Sequence, residues 1–246
     1  MAILYLSRLF SDETEAYYQS VIVLTGMTGI MAMLISLFFY RRDEAGRRLG
    51  GIIPGNRAKG LDVGEGIWLL FMGAAFSQFA NILMNILQIF LQSTEYQESM
   101  SRITEGKSLL MLVFWMGIIA PAAEEVVFRW LIYLRLRDYL RMGRAIVISG
   151  LIFGIYHGNL LQFIYASILG MIFAYVLEMT GSLYSCVLLH MGANIWSLVY
   201  PEIGMKLLET PFVYMLFVLM GALFAVMITG IRHFINKGKQ RGTRCV

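Results

Sequence analysis

Seven apolar segments, separated by clusters of charged residues, constrain this chain more than any other feature of its sequence. They lie at about residues 18–40, 64–92, 108–134, 145–161, 163–179, 183–200 and 212–234, with the fourth and fifth short and closely joined. An α-helix needs roughly 20 apolar residues to cross a bilayer. The pattern therefore predicts an all-α fold, a polytopic transmembrane helix bundle of about seven spans.

The composition supports this interpretation. Of the 246 residues, 58% are hydrophobic and only 15% are charged, whereas soluble domains carry about 25% charged residues. Disordered, collagen-like, disulfide-rich and nucleic-acid-binding classes are thereby excluded. We find no long repeat and no linker, so residues 1–246 are predicted to form a single integral membrane domain. Cys186 and Cys245 do not form a disulfide framework or a metal-binding pattern.

The basic residues predict the orientation in the membrane. Fifteen Lys and Arg residues fall in 41–63, 135–144 and 232–246, and four fall in 1–20, 93–107 and 201–211. Cytoplasmic connections carry the excess of Lys and Arg. The N-terminus is therefore expected outside and the C-terminus in the cytoplasm. The small size and high Met content favour a bacterial cell membrane.

Three ionisable residues lie inside the third apolar segment, where such groups are rare and indicate a functional site. Glu125 and Arg129 are four residues apart and share a helix face, so they are expected to pair. Glu124 is rotated by about 100° from Glu125, which leaves it poorly placed for that pair. One carboxylate therefore remains for chemistry or for holding helices together.

Two histidines also fall in apolar helical segments. Phe153 and His157 are an i, i+4 pair in the fourth segment, and His190 and Asn194 are another in the sixth. A carboxylate and an imidazole can take a proton from water, and an imidazole and an amide N–H can stabilise an oxyanion. With Glu124 unpaired, this set indicates hydrolysis of a peptide bond.

The sequence lacks the residue patterns of the other known types of intramembrane protease. All four aspartates, Asp12, Asp43, Asp62 and Asp138, lie in connections or near the N-terminus, and no His-Glu-x-x-His zinc sequence occurs. Ser149 lacks the preceding glycine of a Gly-x-Ser-Gly turn. A serine in a helix usually satisfies its hydroxyl on the backbone.

The three polar motifs, taken together, resemble a known family. Glu124-Glu125-x-x-x-Arg129, Phe153-x-x-x-His157 and His190-x-x-x-Asn194, in that order, are similar to the motifs of the CPBP intramembrane proteases, also called Abi. That family includes the eukaryotic CAAX prenyl endopeptidase and bacterial proteins associated with bacteriocin immunity and peptide processing. The resemblance covers about residues 115–200, within a predicted catalytic core at about 108–200. The family is commonly described with eight helices, one more than the seven segments found here.

The resemblance implies a role for each residue. Glu124 and His157 would activate a water molecule, and His190 and Asn194 would form the oxyanion hole. Glu125, Arg129 and Phe153 would support them. The implied function is an intramembrane endopeptidase of the glutamate type, without a cofactor, that cleaves a membrane-associated peptide or protein in the lipid bilayer.

Three alternatives remain. Glu124, His157 and His190 could supply three ligands to a catalytic metal such as zinc and leave a position for water. The same scaffold could bind a membrane peptide or a sensor kinase without cutting it, as an immunity or regulatory protein. A proton-coupled transporter is weaker, because the chain lacks an internal repeat and paired broken helices.

Overall fold

A computed structural model describes residues 14–49, 62–91, 94–209, 211 and 213–240 of the chain. Within these residues there are eight helices and no strand: α1 (Thr14–Leu49), α2 (Val63–Leu91), α3 (Glu95–Thr104), α4 (Leu109–Tyr139), α5 (Met142–Tyr156), α6 (Leu160–Thr180), α7 (Leu183–Leu208) and α8 (Tyr214–Gln240). Helix α4 contains two π-helical segments, Val113–Ile119 and Val126–Tyr133. The prediction of an all-α bundle is confirmed.

Six of the described helices are long and apolar enough to cross a membrane, and α5 is a shorter apolar helix of 15 residues. Together they confirm the prediction of about seven spans. The fourth span is short as expected, but the fifth, α6, has 21 residues. It begins early because the Asn159 side chain accepts hydrogen bonds from the backbone N–H groups of Leu161 and Gln162 and caps its N-terminus.

Three connections differ from the sequence-based expectation. Helix α1 continues to Leu49, nine residues beyond the end of the first apolar segment; residues 50–61 of that connection lie outside the described residues. Helix α7 continues through Pro201 to Leu208. Helix α3 occupies a connection in which no helix was predicted. It is polar on one face and apolar on the other, so an apolar-run criterion cannot detect it.

The buried core lies where α4, α5, α6 and α7 meet. Its large fully buried side chains include Tyr133, Phe153, Phe173 and Leu189, one from each of these helices. Phe153 packs edge-on against Phe173 with ring centroids 6.4 Å apart. This aromatic core surrounds the polar residues that the sequence singled out.

Small residues allow α5 and α6 to pack closely. A Cβ atom at Gly150 would lie 2.8 Å from the Ser167 carbonyl oxygen, and one at Gly154 would lie 2.6 Å from the Phe163 carbonyl oxygen. Gly150 and Gly154, one helical turn apart, therefore form a packing face on α5. It does not extend to Gly158, which follows the end of α5 and has φ +70°.

Helices α2 and α7 approach even more closely. A Cβ atom at Gly73 of α2 would overlap the Leu189 carbonyl of α7, and one at Gly192 of α7 would overlap the Leu70 carbonyl of α2. The two backbones are thus in direct contact on both sides. Since Gly192 lies between His190 and Asn194 on α7, this contact fixes the backbone that carries both polar side chains.

We expect Gly192→Val to destabilise the protein strongly. A rigid backbone carbonyl occupies the space that the new side chain needs, so the cost should reach or exceed the upper end of the roughly 1 to 3 kcal/mol typical of overpacking. Thermal unfolding of purified protein and its abundance in the membrane measure the effect. Gly221→Val on α8 is the control, because nothing lies within 4 Å of a Cβ atom there. Equal stability of the two variants would contradict the proposed contact.

Candidate active site

The two adjacent glutamates of α4 have different surroundings, as their spacing predicted. Glu125 is fully buried, and its Oε2 lies 2.9 Å from Nε of Arg129, which is also fully buried. Glu124 is 18% exposed and faces a cavity. Both sit in the short α-helical stretch Ala120–Glu125 between the two π-helical segments of α4, and such segments are frequent at functional sites.

Aromatic rings and a serine complete the surroundings of Arg129. Its guanidinium carbon lies 4.9 Å from the Phe153 ring centroid and 5.6 Å from that of Phe173, within the range of cation–π attraction. The Ser149 hydroxyl lies 3.5 Å from Nη1. The expectation that Ser149 is satisfied on the backbone is therefore incomplete, since its hydroxyl faces this cation.

His190 lies between the two glutamates. Its Nδ1 is 3.0 Å from Oε1 of Glu125, and its Nε2 is 3.7 Å from Oε2 of Glu124. The ring stacks on Phe173 with centroids 4.7 Å apart. An ionised carboxylate can only accept a hydrogen bond, so the contact with Glu125 places a hydrogen on Nδ1. Glu125 therefore links His190 to Arg129 in one buried chain of polar groups.

His157 follows the last residue of α5 and is its C-cap. The sequence predicted that His157 lies within a helix, whereas the structure places it at the helix end. Helix α5 spans about 22 Å at 1.5 Å per residue, less than the roughly 30 Å apolar thickness of a bilayer. Nδ1 of His157 lies 2.8 Å from the Phe153 carbonyl oxygen. Because a carbonyl only accepts, Nδ1 bears the hydrogen, which leaves Nε2 of a neutral ring able to take a proton.

Asn194 contacts the first π-helical segment of α4. Its Nδ2 donates a hydrogen bond to the Met116 carbonyl oxygen at 2.9 Å. A carboxamide nitrogen carries two hydrogens, so one remains for another acceptor. The bond also fixes the plane of the amide relative to Glu124, which lies two turns further along α4.

One cavity of about 1130 Å³ connects these groups. Its walls include Glu124, His157, His190, Asn194 and Phe153. Glu125 and Arg129 are not among its lining residues and lie behind His190 as a fully buried pair. The arrangement combines a carboxylate, two imidazoles and an amide around a space large enough for a substrate.

The same residues do not fit a metal site as they are placed. Among the described residues, no group of three or more His, Cys, Asp and Glu side chains is arranged to hold a metal ion. We therefore derive no catalytic step through zinc bound to Glu124, His157 and His190.

Sequence reasoning missed three contributors. Phe173 stacks on His190, Ser149 faces Arg129, and the Met116 carbonyl accepts from Asn194. Only Ser149 carried a signal, as a polar residue in an apolar segment. The other two are an ordinary core residue and a backbone group, and their roles depend on how the helices pack.

The helical bundle and its buried polar cluster define a class, a polytopic membrane protein with a hydrolase-like site inside its apolar core. Residues 106–196 match the family model described as Type II CAAX prenyl endopeptidase Rce1-like. This segment contains all three polar motifs, so the match supports the resemblance to the CPBP intramembrane proteases. No curated protein and no solved structure matches the chain.

Proposed function

We propose that this protein is an intramembrane endopeptidase that hydrolyses a peptide bond with a water activated by Glu124 and His157. The observation that carries the proposal is the opening of Glu124, His157, His190 and Asn194 onto one cavity. The match to the Rce1-like family over the segment that contains all four residues supports it.

The first step is proton transfer from water. Glu124 is accessible from the cavity and is not the partner of Arg129, so its carboxylate can act as a base. Nε2 of neutral His157 can accept a hydrogen bond from the same water. The water oxygen then forms a bond to the carbonyl carbon of the substrate, and the carbonyl electron pair moves to its oxygen. General-base assistance of this kind contributes typically 10²- to 10⁴-fold.

The second step needs hydrogen-bond donors for the new oxyanion. The second N–H of Asn194 and Nε2 of His190 are assigned to this role. Since Nδ1 of His190 is occupied by Glu125, its Nε2 donates only when both ring nitrogens carry hydrogens. The proton held by Glu124 then passes to the leaving nitrogen as the C–N bond breaks, which restores the carboxylate.

The substrate belongs to the membrane or its surface, because the cavity lies among helices that span it. Cleavage of a prenylated protein does not follow from the shared motifs, which describe the hydrolytic centre. In a bacterial cell membrane, a secreted peptide precursor or leader is the proposed substrate. Peptidomics of cells that express wild-type protein or Glu124→Gln tests this, with fragments expected only in the first. Identical peptidomes would count against proteolysis.

Membranes from the same cells test whether cleavage requires a metal. Membranes treated with a chelator until bound metal is removed should retain cleavage if the glutamate mechanism holds. Loss of cleavage that returns with added zinc would replace it by a metal-dependent mechanism.

We also propose that the N-terminus lies outside the cell and the C-terminus in the cytoplasm, from the fifteen-to-four distribution of Lys and Arg between connections. Reporter fusions after residues 55, 100, 140 and 205 should report in, out, in and out. A cytoplasmic signal from the fusion at residue 100 would overturn this topology.

A further inference from the structure

Four carboxamide side chains form a stripe along α2. Gln78, Asn81, Asn85 and Gln88 follow one another at intervals of three, four and three residues. At 3.6 residues per turn, this spacing places them on one face of the helix. Polar groups in a membrane span are costly, so a row of four on one face needs a reason.

The two ends of this carboxamide stripe are bonded within the protein. Oε1 of Gln78 accepts from the indole N–H of Trp196 at 2.6 Å, and Oε1 of Gln88 accepts from Nε2 of Gln97 on α3 at 2.8 Å. Trp196 lies two residues after Asn194 on α7. The stripe is therefore bonded to α7 at one end and to α3 at the other.

The two middle members have no such partner. Within the described residues, no hydrogen bond is formed by the side chain of Asn81 or Asn85, and both line the cavity that contains Glu124. Nε2 of Gln88, a residue only 7% exposed, also has no hydrogen-bond partner among these residues. Of the four carboxamides, Asn81 and Asn85 are the two that line the cavity, so their donors and acceptors are available there.

The spacing of these free amides matches an extended peptide. Asn81 and Asn85 are about 6.0 Å apart along the helix axis, at 1.5 Å per residue. In an extended chain, backbone groups on the same side repeat every two residues, about 6.6 Å. A carboxamide offers two donors and an acceptor, so each can bond to both the N–H and the C=O groups of a main chain.

We infer that the carboxamide stripe is a subsite for the main chain of an extended peptide substrate. A peptide that unwinds at membrane depth loses its internal hydrogen bonds, and each unsatisfied backbone group there costs several kcal/mol. Asn81 and Asn85 replace those bonds without reading side chains. This inference rests on the proposed peptidase function for the identity of the ligand, and it concerns binding rather than hydrolysis.

The test compares two probes. One is a short fluorophore-labelled peptide of Leu, Ala and Gly, and the other is the same peptide with alternate backbone nitrogens methylated, which removes donors but keeps the side chains. Affinities are measured on full-length protein in nanodiscs, in the Glu124→Gln background so that no cleavage intervenes. Methylation should weaken binding about tenfold or more, because two net hydrogen bonds are lost.

The variant Asn81→Leu/Asn85→Leu should bind the two probes within about twofold of each other. Leu has the same number and branching of side-chain heavy atoms as Asn, although it is larger, and it suits an apolar environment. Asn236→Leu is the matched control, since Asn236 is exposed on α8 and lies outside the cavity; it should keep the wild-type preference. If the double variant fails to fold, Asn81→Leu and Asn85→Leu, each with an intermediate preference, provide the test.

An unchanged tenfold preference in the folded variants would overturn the inference, as would failure of the unmethylated probe to bind the otherwise unaltered Glu124→Gln protein. Cleavage of the probe by protein with Glu124 intact is measured separately. A protein that discriminates the probes through Asn81 and Asn85 but cleaves neither would retain the subsite and refute the peptidase. A protein that cleaves without this discrimination would refute only the subsite.

Discussion

Glu124→Gln is expected to lower the rate of cleavage by a factor on the order of 10² to 10⁴, the usual contribution of a general base. Glutamine keeps the shape of the side chain and can still form hydrogen bonds, but it cannot take a proton from water. The variant should accumulate in the membrane at the wild-type level, because Glu124 faces the cavity and does not pair with Arg129. Single-turnover cleavage by purified protein measures the effect.

Glu202→Gln is the matched control for this experiment. Glu202 lines the same cavity at the far end of α7, so the substitution removes the same charge from the same space and should leave the rate nearly unchanged. His157→Ala should be about as severe as Glu124→Gln. Normal cleavage by both Glu124→Gln and His157→Ala at wild-type abundance would refute hydrolysis. It would favour a protein that binds a membrane peptide without cutting it.

Arg129→Ala is expected to act on stability as well as on activity. Arg129 and Glu125 are both fully buried, so removal of the guanidinium leaves a carboxylate without its cation. Breaking a buried ion pair in this way costs roughly 3 to 5 kcal/mol. Because Glu125 also holds Nδ1 of His190, the remaining folded protein should be impaired in catalysis. Abundance in the membrane and thermal unfolding measure the loss of stability, and cleavage per folded molecule measures the loss of activity.

Arg135→Ala removes a cation from the same helix at an exposed position. Arg135 pairs with Asp43 at 2.7 Å, but the side chains are 50% and 37% exposed, and such pairs contribute about 0 to 1 kcal/mol. Its abundance should therefore match wild type. Replacing both members of the buried Glu125–Arg129 pair, as Glu125→Gln/Arg129→Met, should restore part of the stability that Arg129→Ala loses, without restoring activity. Equal stability of Arg129→Ala and Arg135→Ala would contradict a structural role for the buried pair.

Much of the site could be predicted because its elements depend on helical spacing alone. The i, i+4 relation of Glu125 and Arg129 and the different environment of Glu124 follow from 3.6 residues per turn. The position of His157 could not be obtained in this way, since it depends on where α5 ends. That end is set by the left-handed Gly158 and by the Asn159 cap of α6, both of which lie inside an apolar run.

The remaining contacts depend on tertiary packing. Glu125 meets His190 across 65 positions of the chain, and Asn194 meets Met116 across 78. No periodicity in one helix can predict which helix lies opposite. Helix α3 could not be predicted for a different reason. Its residues are too polar for a criterion based on hydropathy, and it is only ten residues long.

The backbone contact between α2 and α7 fixes the spacing of the two helices that form one wall of the cavity. At Gly73 and Gly192 no side chain lies between the helices, so no rotamer change can alter their separation. His190 and Asn194 on one helix and Asn81 and Asn85 on the other therefore keep a constant register. Helix α3 reaches α2 through the Gln97–Gln88 side-chain bond, which water or a peptide amide can replace. If the proposed substrate enters from the lipid, we expect the cavity to change on the α3 side, while the α2–α7 wall keeps its spacing.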